Sequence, residues 1–431
     1  MTNKSSFKQT AVGEIPKGWE LKQLQDVAKF TNGYAFSSKS YVDVKYDAVP
    51  IFKMGNINIG GGLKITGKED YSSRDIAKQL GNYLTRQGDI LMCMTDMKSS
   101  MNLLGHSAQI HNEKFLVNQR VGIIRYEPNI DGDFLYYFLN SPDYIKAIRT
   151  TARSGVQVNL TTEAIRESSI LYPPILEQRQ IASILSSLDD KIELNRKMNK
   201  TLEDMAKALF KHWFVDFEFP NEEGNPYKSS GGEMIESELG PIPMGWENSS
   251  LADIAEYLNG LPMQKYPQKT DNYLPVIKIR ELKSGVTDTT DKADCNIPAA
   301  YVVKNGDILF SWSGSLEVVV WCDGKGALNQ HLFKVTSDKY PKWFNYYWLL
   351  YHLTDFKDIA ANKATTMGHI QRHHLTEKKV LIPMNDVMMQ MDQLMDSLFQ
   401  IVVLNKIQSI ELNRLRDSLL PKLMSGKTRV N

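Results

Sequence analysis

The amino-acid sequence predicts an α+β protein in which two copies of one β-rich domain are separated by two long helices forming an antiparallel coiled coil. Three observations predict it. An ordered internal repeat divides the chain in half. The front of each half carries short β-branched and apolar segments punctuated by Gly, Asn and Asp. The back of each half begins at a proline and runs on as helix formers with a seven-residue apolar rhythm.

The repeat opens with Ile15-Pro16-Lys17-Gly18-Trp19 and Ile242-Pro243-Met244-Gly245-Trp246, an offset of 246 − 19 = 227. At that offset Leu24, Asp26, Ala28, Asn32 and Gly33 fall on Leu251, Asp253, Ala255, Asn259 and Gly260. Pro50-Ile51-Phe52-Lys53 then faces Pro275-Val276-Ile277-Lys278, and Gly88-Asp89-Ile90-Leu91 faces Gly306-Asp307-Ile308-Leu309. Val117-Asn118-Gln119 recurs as Leu328-Asn329-Gln330. Phe134-Leu135-Tyr136-Tyr137-Phe138-Leu139 recurs as Phe344-Asn345-Tyr346-Tyr347-Trp348-Leu349. The order holds while the offset drifts from 227 to 210, as it does when loops differ in length between duplicated domains.

Val49–Met54, Asp89–Met94 and Val117–Tyr126 have strand composition. After Tyr172-Pro173-Pro174 and Ile382-Pro383 the texture becomes helical. In the first helix, from about Leu176 to Phe214, apolar residues recur at Ile181, Leu185, Leu188, Ile192, Leu202, Ala206 and Leu209. In the second, from about Val387 to Leu420, they recur at Met391, Met395, Leu398, Val402, Leu412, Leu415 and Leu419. A heptad stripe over that length is a coiled-coil seam. Asparagine interrupts both stripes, at Asn195 and Asn405, where 405 − 195 = 210. Paired through a two-fold axis, such helices run antiparallel and the two asparagines meet and fix the register. The resulting domains are 1–174, the central helix 175–220, a linker 221–240, the second domain 241–384 and the C-terminal helix 385–431.

Bulk properties bound the function loosely. The 431 residues are enough for two or three cores. Lys and Arg number 51 against 50 Asp and Glu, a net charge of +1, so charge neither marks nor excludes a nucleic-acid binder. Cys93, Cys295 and Cys322 are odd in number and widely spaced, which suits a reducing compartment and argues against a disulfide framework. The first residues lack a signal-peptide core, and no run approaches the ~18 apolar residues of a membrane span. The expected location is the cytoplasm.

With Lys207-Ala208-Leu209-Phe210-Lys211-His212-Trp213-Phe214-Val215-Asp216-Phe217 closing the first helix and Leu412-Asn413-Arg414-Leu415-Arg416-Asp417-Ser418-Leu419-Leu420-Pro421-Lys422-Leu423-Met424-Ser425-Gly426 the second, the chain resembles the specificity subunits of Type I restriction–modification enzymes. Pro173-Pro174-Ile175-Leu176-Glu177-Gln178 resembles that family's proline-to-helix junction, whereas the second junction, Pro383-Met384-Asn385-Asp386-Val387-Met388, departs from it. The resemblance implies two target-recognition domains, each reading one half of a bipartite, asymmetric double-stranded DNA site, with the paired helices setting the spacer. It implies two methyltransferase subunits that methylate adenine with S-adenosylmethionine, and restriction/translocase subunits that use ATP and Mg2+. It implies no catalysis and no cofactor on this chain.

The residues agree with a non-catalytic reading. Tyr172-Pro173-Pro174-Ile175 is a proline junction, not the N/D-P-P-Y/F loop of an adenine methyltransferase. Ser425-Gly426-Lys427-Thr428 resembles the end of a phosphate loop, but Pro421 stands at the first glycine position. Glu281-Leu282-Lys283 with Asp271 is a frequent kind of carboxylate–Lys grouping. His369, His373 and His374 cluster without completing a tetrahedral zinc set. A non-catalytic scaffold bridging two protein partners is the competing reading.

DNA-reading side chains are expected on loops after strands. The candidates in the first domain are Lys53, Asn56, Asn58, Lys98, Ser99, Ser100, Gln119, Arg120, Arg153, Gln157 and Asn159. Those in the second are Lys278, Arg280, Trp312, Ser313, Ser315, Gln330, His331, Lys363, His369, Gln371 and Arg372. At the helix ends Phe210, Trp213, Phe214 and Phe217, and Leu419, Leu420, Leu423 and Met424, form apolar clusters with Phe219 beside the first. They are either core packing or a docking surface for a partner subunit.

Overall fold

The computed structural model describes residues 7–37, 40–43, 48–65, 67–99, 101–153, 157–362 and 368–430. Two compact units emerge: Met1–Asp190 with Asn413–Asn431, and Lys191–Leu412.

In the first unit, β1 (Ala28–Asn32), β2 (Ile90–Cys93), β3 (Ser107–Gln109) and β4 (Val121–Tyr126) form an antiparallel sheet in the order β1-β4-β2-β3. In the second, β5 (Glu256–Asn259), β6 (Ile308–Ser311), β7 (Val318–Val320) and β8 (Leu332–Thr336) repeat it as β5-β8-β6-β7. Successive side chains of a strand face opposite sides. Ile90, Met92 and Ile124 therefore enter one core while Leu91, Cys93 and Ile123 enter another on the far face. Ile308 and Phe310 are likewise separated from Leu309. A sheet covered on both faces explains the unbroken apolar runs.

The repeated motifs are framework. Gly88 (φ +87°) and Gly306 (φ +82°) make the turn into β2 and β6. The following aspartates accept the amides of Arg86 and Lys304, both at 2.9 Å. Asp89, 2% exposed, also takes the Arg125 guanidinium at 2.9 and 3.1 Å. Phe52 pairs in parallel with Val117, and Ile277 with Leu328. A Cβ on Gly33 would lie 2.2 Å from the Asn118 carbonyl oxygen, and one on Gly260 2.2 Å from that of Asn329. Both positions exclude any side chain.

The strand Ser169–Tyr172 pairs with Glu20–Gln23, and Lys379–Ile382 with Glu247–Ser250, anchoring the entry to each long helix behind its Pro-x-Gly-Trp turn. α1 (Ile175–Phe214) and α2 (Asn385–Met424) each have 40 residues. α1 begins in the first unit and ends in the second, and α2 does the reverse. In the second unit the Asn195 amide donates to Gln408 Oε1 (2.9 Å), Ser409 Oγ (3.3 Å) and the Asn405 carbonyl (3.4 Å). Asn199 donates to the Val402 carbonyl at 3.1 Å, and Asn405 to Asn199 Oδ1 at 2.9 Å. Rising numbers on one helix meet falling numbers on the other, so the helices run antiparallel. Since 409 − 210 = 199, Asn195–Ser409 and Asn405–Asn199 are one contact repeated.

The seam differs from the expected stripe in α2, where Leu415 is 47% exposed. Met391, Met395 and Val402 are buried as expected, but Phe399 and Leu420 are buried beside the stripe and half-buried Ser409 and Arg416 take seam places. Arg416 pairs with Asp189 at 2.7 Å, and Asp189 also accepts the Tyr137 hydroxyl at 2.7 Å. Polar residues hold the seam in that stretch, so a stripe drawn through leucines slips by one position.

The apolar helix ends are core, which corrects the docking-surface reading. Phe210, Trp213, Phe214, Phe217 and Phe219 are buried among Trp246, Trp343, Phe344 and Trp348 of the second unit. Leu420, Leu423 and Met424, with half-buried Leu419, pack on Ile15, Trp19, Ile181 and Leu185 of the first. The expected linker 221–240 is also part of the second unit. Tyr227 stacks on Phe219 at 4.6 Å, and Met234–Ile235 pairs with Ile242–Pro243. In the first unit the Trp19 indole donates to Glu177 (2.9 Å), which also receives Arg429 at 2.6 and 2.9 Å. At the offset of 210 the second unit places Val387 for Glu177 and Phe219 for Arg429. There the ring of Phe219 stacks on Trp246 at 5.2 Å, and the buried Trp246 N–H has no partner among the described residues.

Gly33→Ala should cost about 1–3 kcal/mol through overpacking, and Gly260→Ala the same in the other unit. Urea denaturation should show lowered midpoints for both variants; an unchanged midpoint would contradict the close approach.

Candidate nucleic-acid interface

The ends of the central strands gather most of the candidates into one loop cluster per unit. In the first, Gly33 donates to the Val121 carbonyl (2.9 Å), Tyr34 to that of Val117 (2.8 Å) and Gln119 to that of Tyr34 (2.9 Å). Gln157–Asn159 pairs with Thr95–Met97, and the Thr95 hydroxyl donates to Asn159 Oδ1 at 2.8 Å. Exposed Lys98, Ser99, Gln119, Arg120, Arg153, Gln157 and Asn159 thus share one edge. Ser100 lies outside the described residues.

Lys53, Asn56 and Asn58 follow the neighbouring parallel strand and are tied down more tightly. Lys53 pairs with Asp70, and its ammonium lies 4.9 Å from the Tyr41 ring centre. Burial opposes that charge, but Asp70 and Tyr41 outweigh it and raise its pKa. Asn56 is buried, accepts the Lys53 amide at 2.9 Å and donates to the Lys64 carbonyl at 3.0 Å. Asn58 is exposed and donates weakly to the Leu63 carbonyl at 3.4 Å.

In the second unit the same edge carries Trp312, Ser313, Gln330, His331, His369, Gln371 and Arg372. The Trp312 amide donates to the His331 carbonyl (3.3 Å), Ile370 to that of Trp312 (2.9 Å) and Gly314 to that of Gly368 (2.8 Å). The Trp312 indole donates to Asn259 Oδ1 at 2.9 Å. Ser315 receives Lys283 at 2.6 Å. Lys278 pairs with Asp291, holding that carboxyl below the usual range, and Arg280 pairs with Glu281 at 2.8 Å. Lys363 lies outside the described residues.

Internal symmetry separates framework from tip. Arg372 donates to the Tyr257 carbonyl at 3.0 Å, and Arg166, absent from the sequence candidates, donates to the Phe30 carbonyl at 3.0 Å. The two acceptors are equivalent, since 257 − 30 = 227, but the donors are not. Their offset is 372 − 166 = 206, where the adjoining strands keep an offset of 210, so unlike positions of the two short helices reach the same carbonyl. Tyr34, 37% exposed beside Gln119, was also missed; its place directly after the repeated Asn-Gly was the available signal.

The chemical decoys have structural roles. Glu281, 1% exposed, caps its helix by accepting the Lys278 amide at 3.1 Å and takes the Thr290 hydroxyl at 3.2 Å. Gly426 (φ +67°) has no room for a Cβ against Pro16. His373, His374 and Glu377 lie close enough to share an ion. However, His374 Nδ1 accepts the Gln371 amide at 2.9 Å, which leaves the neutral ring's proton on Nε2 and no lone pair for a cation.

This geometry defines a class: a duplicated framework presenting different polar side chains from equivalent loops. The family described as the Type I restriction modification DNA specificity domain matches residues 16–204 and 243–414. The chain belongs to that family. It is 27% identical to the Type I restriction enzyme MjaIX specificity subunit of Methanocaldococcus jannaschii, over 99% of this chain and 97% of that protein. It is 24% identical to the HindI specificity subunit of Haemophilus influenzae, over 73% of this chain and 82% of that one. The crystal structure of the Type I restriction–modification S subunit from M. genitalium shares the fold, with a TM-score of 0.56, 15% identity and coverage of 94% and 96%. No helix among the described residues is long and apolar enough to cross a membrane.

One buried group in the first unit gives a pH dependence. Burial, with the Arg149 guanidinium nearby, pushes the His106 imidazole down to about 4. An unfolded imidazole titrates near ~6.5, so between these values the unfolded chain binds more protons. Stability is complete above about pH 6.5 and is lost as pH falls towards 4, by up to about 3 kcal/mol. His106→Asn should shrink the fall in urea midpoint between pH 7 and pH 5; an unchanged fall would assign it to other groups.

Proposed function

We propose that this chain is the reading subunit of a Type I restriction–modification complex and recognises a bipartite, asymmetric DNA target. One observation carries this reading. Two copies share their sheet order, glycine contacts and buried asparagine turn, yet differ in nearly every side chain at the loop edge. A common scaffold with unlike tips is suited to two different half-sites.

The chain performs no chemistry in this proposal. Two methyltransferase subunits carry S-adenosylmethionine and methylate adenine, and restriction/translocase subunits supply the ATP- and Mg2+-dependent cleavage. α1 and α2 act as the ruler between half-sites. Binding energy comes from phosphate contacts by exposed Lys and Arg, and sequence choice from base edges in the major groove.

Mapping methylated adenines in DNA from cells that carry this chain with its methyltransferase subunits should reveal two unlike half-sites at a fixed gap. If the assembled complex fails to bind duplex DNA at physiological salt, a scaffold that bridges protein partners takes its place. Inserting one heptad into both helices should add about 10 Å, or about three base pairs to the preferred gap. An unchanged gap would remove the ruler role.

A further inference from the structure

The turn that follows the buried asparagine is held identically in both units and carries a different residue in each. Asn118 and Asn329 are 8% and 2% exposed. Their amides donate to the carbonyls of Phe52 (3.0 Å) and Ile277 (3.2 Å), at the ends of the parallel strands. Their carbonyls face the glycines that admit no Cβ. Their side-chain oxygens accept the amides two residues on, from Arg120 at 3.2 Å and His331 at 3.4 Å. The correspondence is strict, since 329 − 118 and 331 − 120 both equal 211. Core contacts on three sides therefore fix the backbone from which residues 119–120 and 330–331 project.

The first of each pair is glutamine in both units; the second is not shared. Arg120 is exposed, and its guanidinium has no partner among the described residues. It is a free five-donor fork, matched to the paired acceptors O6 and N7 of guanine. His331 is half-buried and oriented. Its Nδ1 lies 3.0 Å from the hydroxyl of Ser313, which is itself 4% exposed, and its ring sits 5.8 Å from that of Trp312. The Gln330 amide nitrogen lies 3.4 Å from Nε2. An amide nitrogen only donates, so the ring proton is assigned to Nδ1, towards Ser313, and Nε2 accepts. With that lone pair directed at Gln330, a neutral imidazole offers no pair of parallel donors, and so it does not match the guanine O6 and N7 face that Arg120 fits.

We propose that Arg120 and His331 are the specificity-determining pair, one per half-site, that makes two equivalent turns read different bases. The inference rests on the DNA-reading function proposed above. Its test uses the full chain assembled with its methyltransferase subunits and selection from a randomised duplex pool. Arg120→His should change the preferred base at one position of one half-site, lowering discrimination there about 5- to 150-fold, and leave the other half-site and the gap untouched. His331→Arg should do the converse. Arg120→Lys keeps the charge but loses the fork, so it should relax that same position while the salt dependence of binding stays as in wild type. If Arg120→His instead weakens all sequences alike and Arg120→Ala lowers the salt slope by about one, Arg120 is a phosphate contact and the proposal falls. Unaltered base preference in both swaps would overturn it as well. A wild-type complex that selects no sequence would overturn the DNA-reading function itself, a result distinct from either.

Discussion

Each β-rich copy depends on a helix end supplied from the far half of the sequence. The first unit's core is closed by Leu420, Leu423 and Met424, which lie more than two hundred residues after the strands they cover. The second is closed by Phe210, Trp213 and Phe214 at the end of the helix that leaves the first domain. Aromatic and aliphatic side chains of this size contribute on the order of 1.5–3 kcal/mol each when fully buried, so the helix ends are structural parts of both domains. The antiparallel direction follows from the same requirement, because each helix must start beside its own domain and finish in the other's core.

The polar middle of the helix pair fits that arrangement. Asn195, Asn199, Asn405 and Ser409 form a repeated pair of amide contacts where leucines would pack in any of several registers. Each amide has its acceptors only when the helices are aligned as they are, so the pairing selects one alignment. Further along, Arg416 and Asp189 occupy places that Ala206 and Phe399 fill at the equivalent offset of 210. The two ends of the seam therefore have different chemistry on one geometry.

Much of this was legible in the sequence because repeated motifs mark backbone that cannot vary. The Asn-Gly and Asn-Gln blocks are the two sides of one close contact, and Gly-Asp-Ile-Leu is a carboxylate-capped turn entering a strand. Both helices were found to within a few residues of their ends. Three things were not legible. The polar seam residues carry no apolar signal, so Leu415 was placed inside and Ser409 was passed over. The crowded aromatics at the helix ends look the same in sequence whether they fill a core or meet a partner. The loop cluster needed coordinates, because Asn56, whose side chain is hydrogen-bonded inside the domain, and Arg120, whose exposed guanidinium has no partner among the described residues, have equally polar sequence surroundings.

The distant closure of the first core sets a schedule for biosynthesis. Residues 191–412 must be made before Asn413–Asn431 can join the domain that precedes them. At about 5–20 residues per second, an emerging N-terminal domain waits roughly 10–45 seconds with Ile15, Trp19 and Leu185 uncovered. Through that interval it is a natural client for chaperones, and a ribosome that stalls within the second copy leaves the first one unfinished too.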